Sequence, residues 1–209
     1  NPGTLDLEKL AAYRRMGFNR LSIGAQSFDD ELLRTLGRIH TAADFRACYA
    51  WARQAGFKNI NIDLMFAIPG QSYEGWIQNL RTVAKLGPEH ISAYSLIIEE
   101  GTPFSARKLD LPDEDTEYRM YEDVAAVLGK YGYYQYEISN YAKKDRNCRH
   151  NEGYWQRKDY LGLGLGAASL VGRERFTNTS DMSEYLENSG NLEKIRTDRE
   201  TLTREDEMG

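Results

Sequence analysis

The sequence predicts an α/β protein: part of a (β/α) barrel, a parallel sheet with outer helices, followed by a C-terminal α+β extension. Three observations carry that reading. Runs of β-formers at 19–24, 59–64 and 90–98 each give way to a stretch of different periodicity or to a loop that leads into a helix. The strands recur at spacings of about 30 to 40 residues, which suit βαβ crossovers and not tight hairpins. No GxGxxG or Walker fingerprint follows any strand, which counts against the nucleotide-binding open sheets. An open doubly wound sheet remains the alternative architecture.

Each element has a local cause. Leu5, Leu7, Leu10, Ala11, Tyr13 and Met16 give a helical pattern that Gly17 stops. After the strand at 19–24, Asp29 or Asp30 caps a short helix over 30–36, ended by Gly37. Thr41 caps a helix at 42–55 whose apolar face holds Phe45, Cys48, Tyr49 and Ala52. Strand 59–64 runs into the turn Pro69-Gly70-Gln71, and Ser72 caps a helix over 73–86 with Trp76, Leu80, Val83 and Ala84 facing inward. Gly87-Pro88 ends it, and His90 to Ile98 is rich in β-formers. A loop from Glu99 to Pro112 precedes a helix begun by Asp113 or Asp115 and reaching about Tyr131, and 133–138 reads as a further strand.

The character changes after residue 140, so a core domain is expected over 1–140 and an extension over 141–209. In the extension, 145–151 reads as a polar loop and Tyr154-Trp155 as an aromatic anchor. The run from Tyr160 to Ala168 alternates glycine with leucine, a pattern that brings backbone close to a neighbouring strand, helix or ligand. From about Asn178 the chain reads as a polar connector with short helical pieces. Asn1-Pro2-Gly3-Thr4 resembles the loop after a strand, and 202–209 the acidic first turn of a helix, so the chain is expected to be a piece of something longer.

Composition narrows the function. A net charge of −5 argues against a dedicated nucleic-acid binder. No apolar stretch approaches the roughly 20 residues needed to span a bilayer. Two cysteines, Cys48 and Cys148, are too few for a disulfide framework and suit a cytoplasmic protein. Cys48 falls on an apolar helix face, and Cys148 reads as the more exposed thiol. No acyl-transfer triad, CxxC or HExxH is present.

Gln26, Arg38 and Asp63 form the main candidate constellation. A guanidinium can clamp a carboxylate with two parallel hydrogen bonds, while an amide and a carboxylate can accept from an ammonium or from ribose hydroxyls. These three groups at strand ends therefore suit a zwitterionic, sugar-bearing cofactor on a barrel rim. Helix capping or a rim salt bridge between Arg38 and Asp63 is the competing reading. His150, beside Asn151 and ahead of Tyr154-Trp155, can serve as an iron ligand with aromatic cover, or simply as a turn residue. His40 and His90 read as structural.

Eight segments in order resemble the radical S-adenosylmethionine family that holds the oxygen-independent coproporphyrinogen III oxidases and the HemW-type haem chaperones. They are Asn1-Pro2-Gly3-Thr4, Arg20 to Phe28, Leu36-Gly37-Arg38-Ile39-His40, Asn61 to Met65 with Ile68 to Gln71, His90 to Tyr94, Tyr136 to Ala142, Cys148 to Asn151, and Tyr154-Trp155. The resemblance implies a partial barrel and assigns Gln26, Arg38, Asp63 and Ile97 to S-adenosyl-L-methionine. It also implies a [4Fe–4S] cluster on a CxxxCxxC motif. No such motif occurs in this sequence, so its cysteines are expected upstream, and residues 1–209 alone are expected not to cleave the cofactor. Ala168 is a smaller departure, since many members carry histidine there.

Within the family two functions compete. The oxidase uses a 5′-deoxyadenosyl radical to convert coproporphyrinogen propionates to vinyls, and the chaperone binds haem and passes it to recipient proteins. His150-Asn151 with Tyr154-Trp155 resembles the chaperone's haem-binding motif, and Gly37-Arg38-Ile39-His40 suits that branch. The resemblance therefore favours the chaperone, with the oxidase second and a non-catalytic binding scaffold third.

Overall fold

A computed structural model describes residues 1–209 except Pro103, Lys108, Arg204, Glu205, Glu207, Met208 and Gly209. The helix start expected over 202–209 lies largely outside the described residues. The chain forms two compact units, Asn1–Asn147 and Cys148–Gly209.

In the first unit a 3-10 turn (Pro2–Thr4) leads to α1 (Leu7–Arg15), β1 (Leu21–Gln26), α2 (Asp30–Thr35), α3 (Ala42–Gln54), β2 (Ile60–Phe66) and α4 (Tyr73–Leu86). Then follow β3 (His90–Ser95), α5 (Glu114–Gly129), β4 (Tyr134–Gln135) and β5 (Asn140–Ala142). Capping explains the helix starts. Asp29 accepts from Glu31 N, Thr41 and Asp44 close a reciprocal capping box, Ser72 accepts from Gly75 N, and Asp113 from Thr116 N. Gly87 ends α4 in the left-handed conformation (φ 73°), which a side chain would strain.

The five strands lie in the order β1-β2-β3-β5-β4. β1, β2 and β3 are parallel neighbours, as the spacing predicts. The run at 133–138 is not one further parallel strand. It shortens to β4, and the chain then returns as the hairpin strand β5, which pairs antiparallel with both β3 and β4. β4 therefore runs in the same direction as β3 but one place removed, with β5 filling the gap. β-propensity marks such a run as extended without choosing its neighbour.

Strand alternation gives this sheet two unlike faces. Ile23, Ala25, Ile62, Leu64, Phe66, Ile91 and Ala93 join Phe45, Cys48, Trp76, Leu80, Val83, Met120, Val124 and Leu128 in the buried core. The opposite face carries Ser22, Gly24, Asn61, Asp63, His90, Ser92 and Tyr94. Register aligns them in rows: Ser22 with Asn61 and His90, then Gly24 with Asp63 and Ser92. Parallel sheets are usually apolar on both faces, so a polar second face marks a working surface.

The second unit contains α6 (Arg149–Trp155), β6 (Ala168–Val171), β7 (Glu174–Asn178), α7 (Met182–Asn188), α8 (Leu192–Ile195) and β8 (Arg196–Thr201). Its strands form an antiparallel sheet in the order β6-β7-β8 around Leu170, Phe176 and Ile195. The stretch after Asn178 thus includes a sheet strand as well as short helices. The polar loop expected through residue 151 gives way to α6, which begins at Arg149; its N-cap Cys148 makes no side-chain capping bond, so the usual signal of a helix start is missing. In the glycine-leucine run, Gly162 packs so close to Ala168 that a Cβ would meet the Ala168 carbonyl oxygen. Asn178 Nδ2 donates to the Gly162 and Gly164 carbonyls at 3.3 and 2.8 Å. Close backbone packing accounts for Gly162, and left-handed backbone (φ 107° and 66°) for Gly164 and Gly166.

Candidate functional site

β1 ends in a bulge. Gly24 pairs with Asp63 but Gln26 with Leu64, and Gln26 adopts φ 64°, a left-handed conformation unusual for a side-chain residue. That kink returns the buried Gln26 side chain to the polar face, where its Nε2 lies over Gly24. A Cβ on Gly24 would sit 2.5 Å from that nitrogen. The Tyr94 hydroxyl donates to Gln26 Oε1 at 3.1 Å. On the other side of the bulge, the buried His40 holds the Ala25 carbonyl through Nε2 at 3.3 Å, while Ser27 N donates to the same oxygen at 2.8 Å. Burial first, and Arg38 after it, push the His40 pKa down, opposed by the bond to Ala25. Its Nδ1 is buried with no partner among the described residues.

Asp63 sits in the middle of β2, half-buried. Its Oδ2 accepts from Ser22 Oγ at 3.0 Å and its Oδ1 from Asn61 Nδ2 at 2.7 Å. A carboxylate has about four acceptor positions, so roughly two remain for a ligand. Arg38, in the segment after α2, donates from Nη1 to Asn1 Oδ1 at 3.0 Å. Among the described residues Arg38 and Asp63 form no ion pair with each other, so the rim salt bridge is absent there.

Tyr94, at the carboxyl end of β3, is acted on by all three of these side chains. Burial and the Asp63 charge raise its pKa, and the Gln26 hydrogen bond and the Arg38 charge lower it. Sequence reading passed over Tyr94. The signal available was the alternation His90-Ser92-Tyr94 opposite Ile91 and Ala93, a polar face written at period two.

The same alternation places His90 on this face. His90, read as structural, is fully buried and lies within a hydrogen-bonded row across the polar face. Its Nδ1 is 2.6 Å from Asn61 Oδ1 and its Nε2 is 2.7 Å from the Tyr136 hydroxyl.

Two further expected positions are Ile97 in the first unit and His150 in the second. Ile97 follows β3 and is 76% exposed, a side chain open to whatever lies over this rim. His150 is exposed on α6, with its ring edge-on to Tyr154 at 4.7 Å, and Tyr154 meets Tyr160 the same way at 4.6 Å. Cys148, expected to be the more exposed thiol, is buried, as Cys48 is. Among the described residues no group of three or more His, Cys, Asp or Glu side chains is arranged to hold a metal ion. A [4Fe–4S] cluster therefore finds no ligand set there. A zwitterionic nucleoside fits better: a guanidinium, a carboxylate with free lone pairs, and an amide over a glycine floor. Among the described residues no helix is long and apolar enough to cross a membrane.

The chain is similar to several known proteins. A model of the Radical SAM superfamily matches residues 1–83. The chain is 40% identical over 191 residues to the heme chaperone HemW of Bacillus subtilis (strain 168), covering 90% of this chain and 50% of that protein. It is 42% identical over 171 residues to HemW of Escherichia coli (strain K12), covering 82% of this chain and 45% of that one. The solved structure of coproporphyrinogen III oxidase (HemN) from Escherichia coli, a radical SAM enzyme, superposes with a TM-score of 0.83 at 26% identity. That match covers 98% of this chain and 51% of the oxidase. The chain spans about half the length of the curated relatives it matches.

Proposed function

The chain is a HemW/HemN-like radical SAM protein, and from that premise we propose that it forms the S-adenosylmethionine-binding part of a HemW-type haem chaperone. The family implies S-adenosylmethionine and a [4Fe–4S] cluster. The observation that carries the cofactor reading is the Tyr94 hydroxyl, which bonds Gln26 and responds to the charges of both Asp63 and Arg38. In this reading Arg38 clamps the cofactor's carboxylate, Asp63 accepts from the ribose hydroxyls, and Gln26 fixes the molecule between them with Ile97 as cover. When bound at a reduced cluster the cofactor supplies a 5′-deoxyadenosyl radical. The cluster ligands are assigned to residues outside this chain.

Haem is the cargo in this proposal. His150 offers an exposed imidazole, and Tyr154 and Trp155, 46% and 57% exposed, are flat apolar surfaces on the same short helix. The names carried by the relatives favour the chaperone. The oxidase is the second reading, favoured by the TM-score of 0.83 to HemN.

Haem added to the full-length protein is expected to give a Soret shift that His150→Ala weakens. Decarboxylation of coproporphyrinogen with reductant and S-adenosylmethionine, unchanged by His150→Ala, would instead assign the oxidase. If the intact protein binds neither haem nor S-adenosylmethionine, a non-catalytic scaffold is left.

A further inference from the structure

The hydrogen-bonded row beneath the proposed cofactor site has only one consistent direction. Asp63, as a carboxylate, accepts and cannot donate. Its Oδ1 lies 2.7 Å from Asn61 Nδ2, so the Asn61 amide must turn its nitrogen toward Asp63. The same nitrogen is 2.8 Å from Ser22 Oγ, which passes its own proton to Asp63 Oδ2 at 3.0 Å. Asn61 Oδ1 therefore faces the other way, toward His90 Nδ1 at 2.6 Å, with the Ser92 hydroxyl a second, longer donor to it at 3.2 Å. An amide oxygen only accepts, so His90 Nδ1 must carry a proton. The imidazole is fully buried and neutral, being pushed by burial and the Arg20 charge down to about 3, so Nε2 is bare. It accepts from the Tyr136 hydroxyl at 2.7 Å. The chain of donors runs Tyr136 to His90 to Asn61 to Asp63, spanning the β4–β5 hairpin and the neighbouring strands β3 and β2.

We propose that His90 is a positioning residue for Asp63: its Nδ1–H fixes the Asn61 amide, which holds the carboxylate with its free lone pairs toward the cofactor. This rests on the assignment of Asp63 to S-adenosylmethionine made above. His90 touches no ligand in this scheme. Its contribution is to remove the alternative orientation of Asn61, in which the amide oxygen would face the carboxylate and push it aside. Buried networks of this kind specify one arrangement when every member is satisfied, and here each link has a partner.

The test uses the full-length protein with its iron–sulfur cluster and measures equilibrium binding of S-adenosylmethionine. Asp63→Asn and His90→Leu are each expected to weaken binding, His90→Leu by about 5- to 10-fold, the worth of a lost hydrogen bond or slightly more. The double variant is expected to bind no more weakly than Asp63→Asn alone, because His90 acts only through that carboxylate. His90→Asn, which keeps a donor toward Asn61 Oδ1, is expected to recover most of the loss. Independent losses that add in the double variant overturn the proposal, as does undiminished binding by folded His90→Leu while Asp63→Asn binds weakly. Undiminished binding by Asp63→Asn overturns the cofactor assignment as well. Should His90→Leu not fold, Tyr136→Phe takes its place in the cycle. Nitrogen-15 NMR of the ligand-free protein reads the row directly: an Nδ1–H tautomer supports it, and an Nε2–H tautomer overturns it.

Discussion

The Tyr94 hydroxyl donates to Gln26 Oε1 at 3.1 Å, across two strand positions and from the end of β3 to the bulge that ends β1. This bond ties the polar face together at its rim. It also leaves the Gln26 amide hydrogens directed away from Tyr94, so the amide presents a donor where sequence reading had given it an acceptor's role.

Removing that bond should loosen the site without unfolding the protein. Tyr94→Phe keeps the ring and deletes one hydrogen bond to a buried amide, worth about 1 kcal/mol. S-adenosylmethionine binding by the full-length protein is expected to weaken about 5-fold, with the urea midpoint nearly unchanged. An unaltered affinity would detach Tyr94 from the site.

Gly24 has a different role, as a floor. The Cβ of Gly24→Ala would come within 2.5 Å of Gln26 Nε2, the mobile end of a side chain, so the amide gives way and the backbone stays. The variant is expected to melt within a few degrees of the parent yet to bind S-adenosylmethionine about tenfold more weakly, one tenfold step being about 1.4 kcal/mol. A large stability loss with unchanged binding would mean that the strand yields and the amide does not.

The opposite end of the sheet should answer only to stability. Arg53 donates from Nη1 and Nη2 to the two Glu89 oxygens at 2.9 and 3.1 Å and also to the Tyr49 hydroxyl. Glu89 in turn accepts from Ile60 N at 2.9 Å, where β2 begins. The two side chains are 29% and 17% exposed, so breaking one partner strands a partly buried charge. Arg53→Ala is expected to cost about 3 kcal/mol in urea unfolding and to leave cofactor affinity within twofold. Loss of affinity in a folded Arg53→Ala protein would show that the two ends of the strands are coupled.

Local chemistry explains what could be read directly from the sequence. Thr41, Ser72 and Asp113 are strong caps and Gly87-Pro88 a strong stop, so α3, α4 and α5 fall within one or two residues of expectation. Interactions between distant segments were less legible. The return of β5 beside β3 depends on pairing partners that propensity does not name, and α6 starts at Arg149 after an N-cap, Cys148, that makes no side-chain capping bond. Residue type singles out Gln26, Arg38 and Asp63, but the expected strand-end placement holds only for Gln26: Asp63 stands in the middle of β2 and Arg38 lies between α2 and α3. Their link through Tyr94 needed the register of β1 to β3, because a hydroxyl is functional only in relation to what it faces. His90 reads as structural in the sequence and is buried and hydrogen-bonded in the fold, but its partners, 29 and 46 residues away, are beyond local pattern.

That buried histidine gives the chain an acid-sensitive point whose sign is fixed. Folded, its pKa is pushed down to about 3 by burial and by Arg20; unfolded, it returns to its ordinary 6.5. Between those values the unfolded chain binds a proton that the folded chain refuses. Its contribution to stability is therefore complete above pH 6.5 and declines as the pH falls toward 3, at up to about 1.4 kcal/mol per unit. Carboxylates begin to protonate below about pH 5, so the histidine is best read between about pH 6.5 and 5. Urea midpoints taken through that window should fall for the parent, while His90→Gln, less stable at neutral pH, should show a flatter profile that closes the gap as acid is added. Parallel profiles would mean that the folded protein already accepts the proton at His90. The row from Tyr136 to Asp63 would then lose its direction, since a doubly protonated imidazole cannot accept from the Tyr136 hydroxyl.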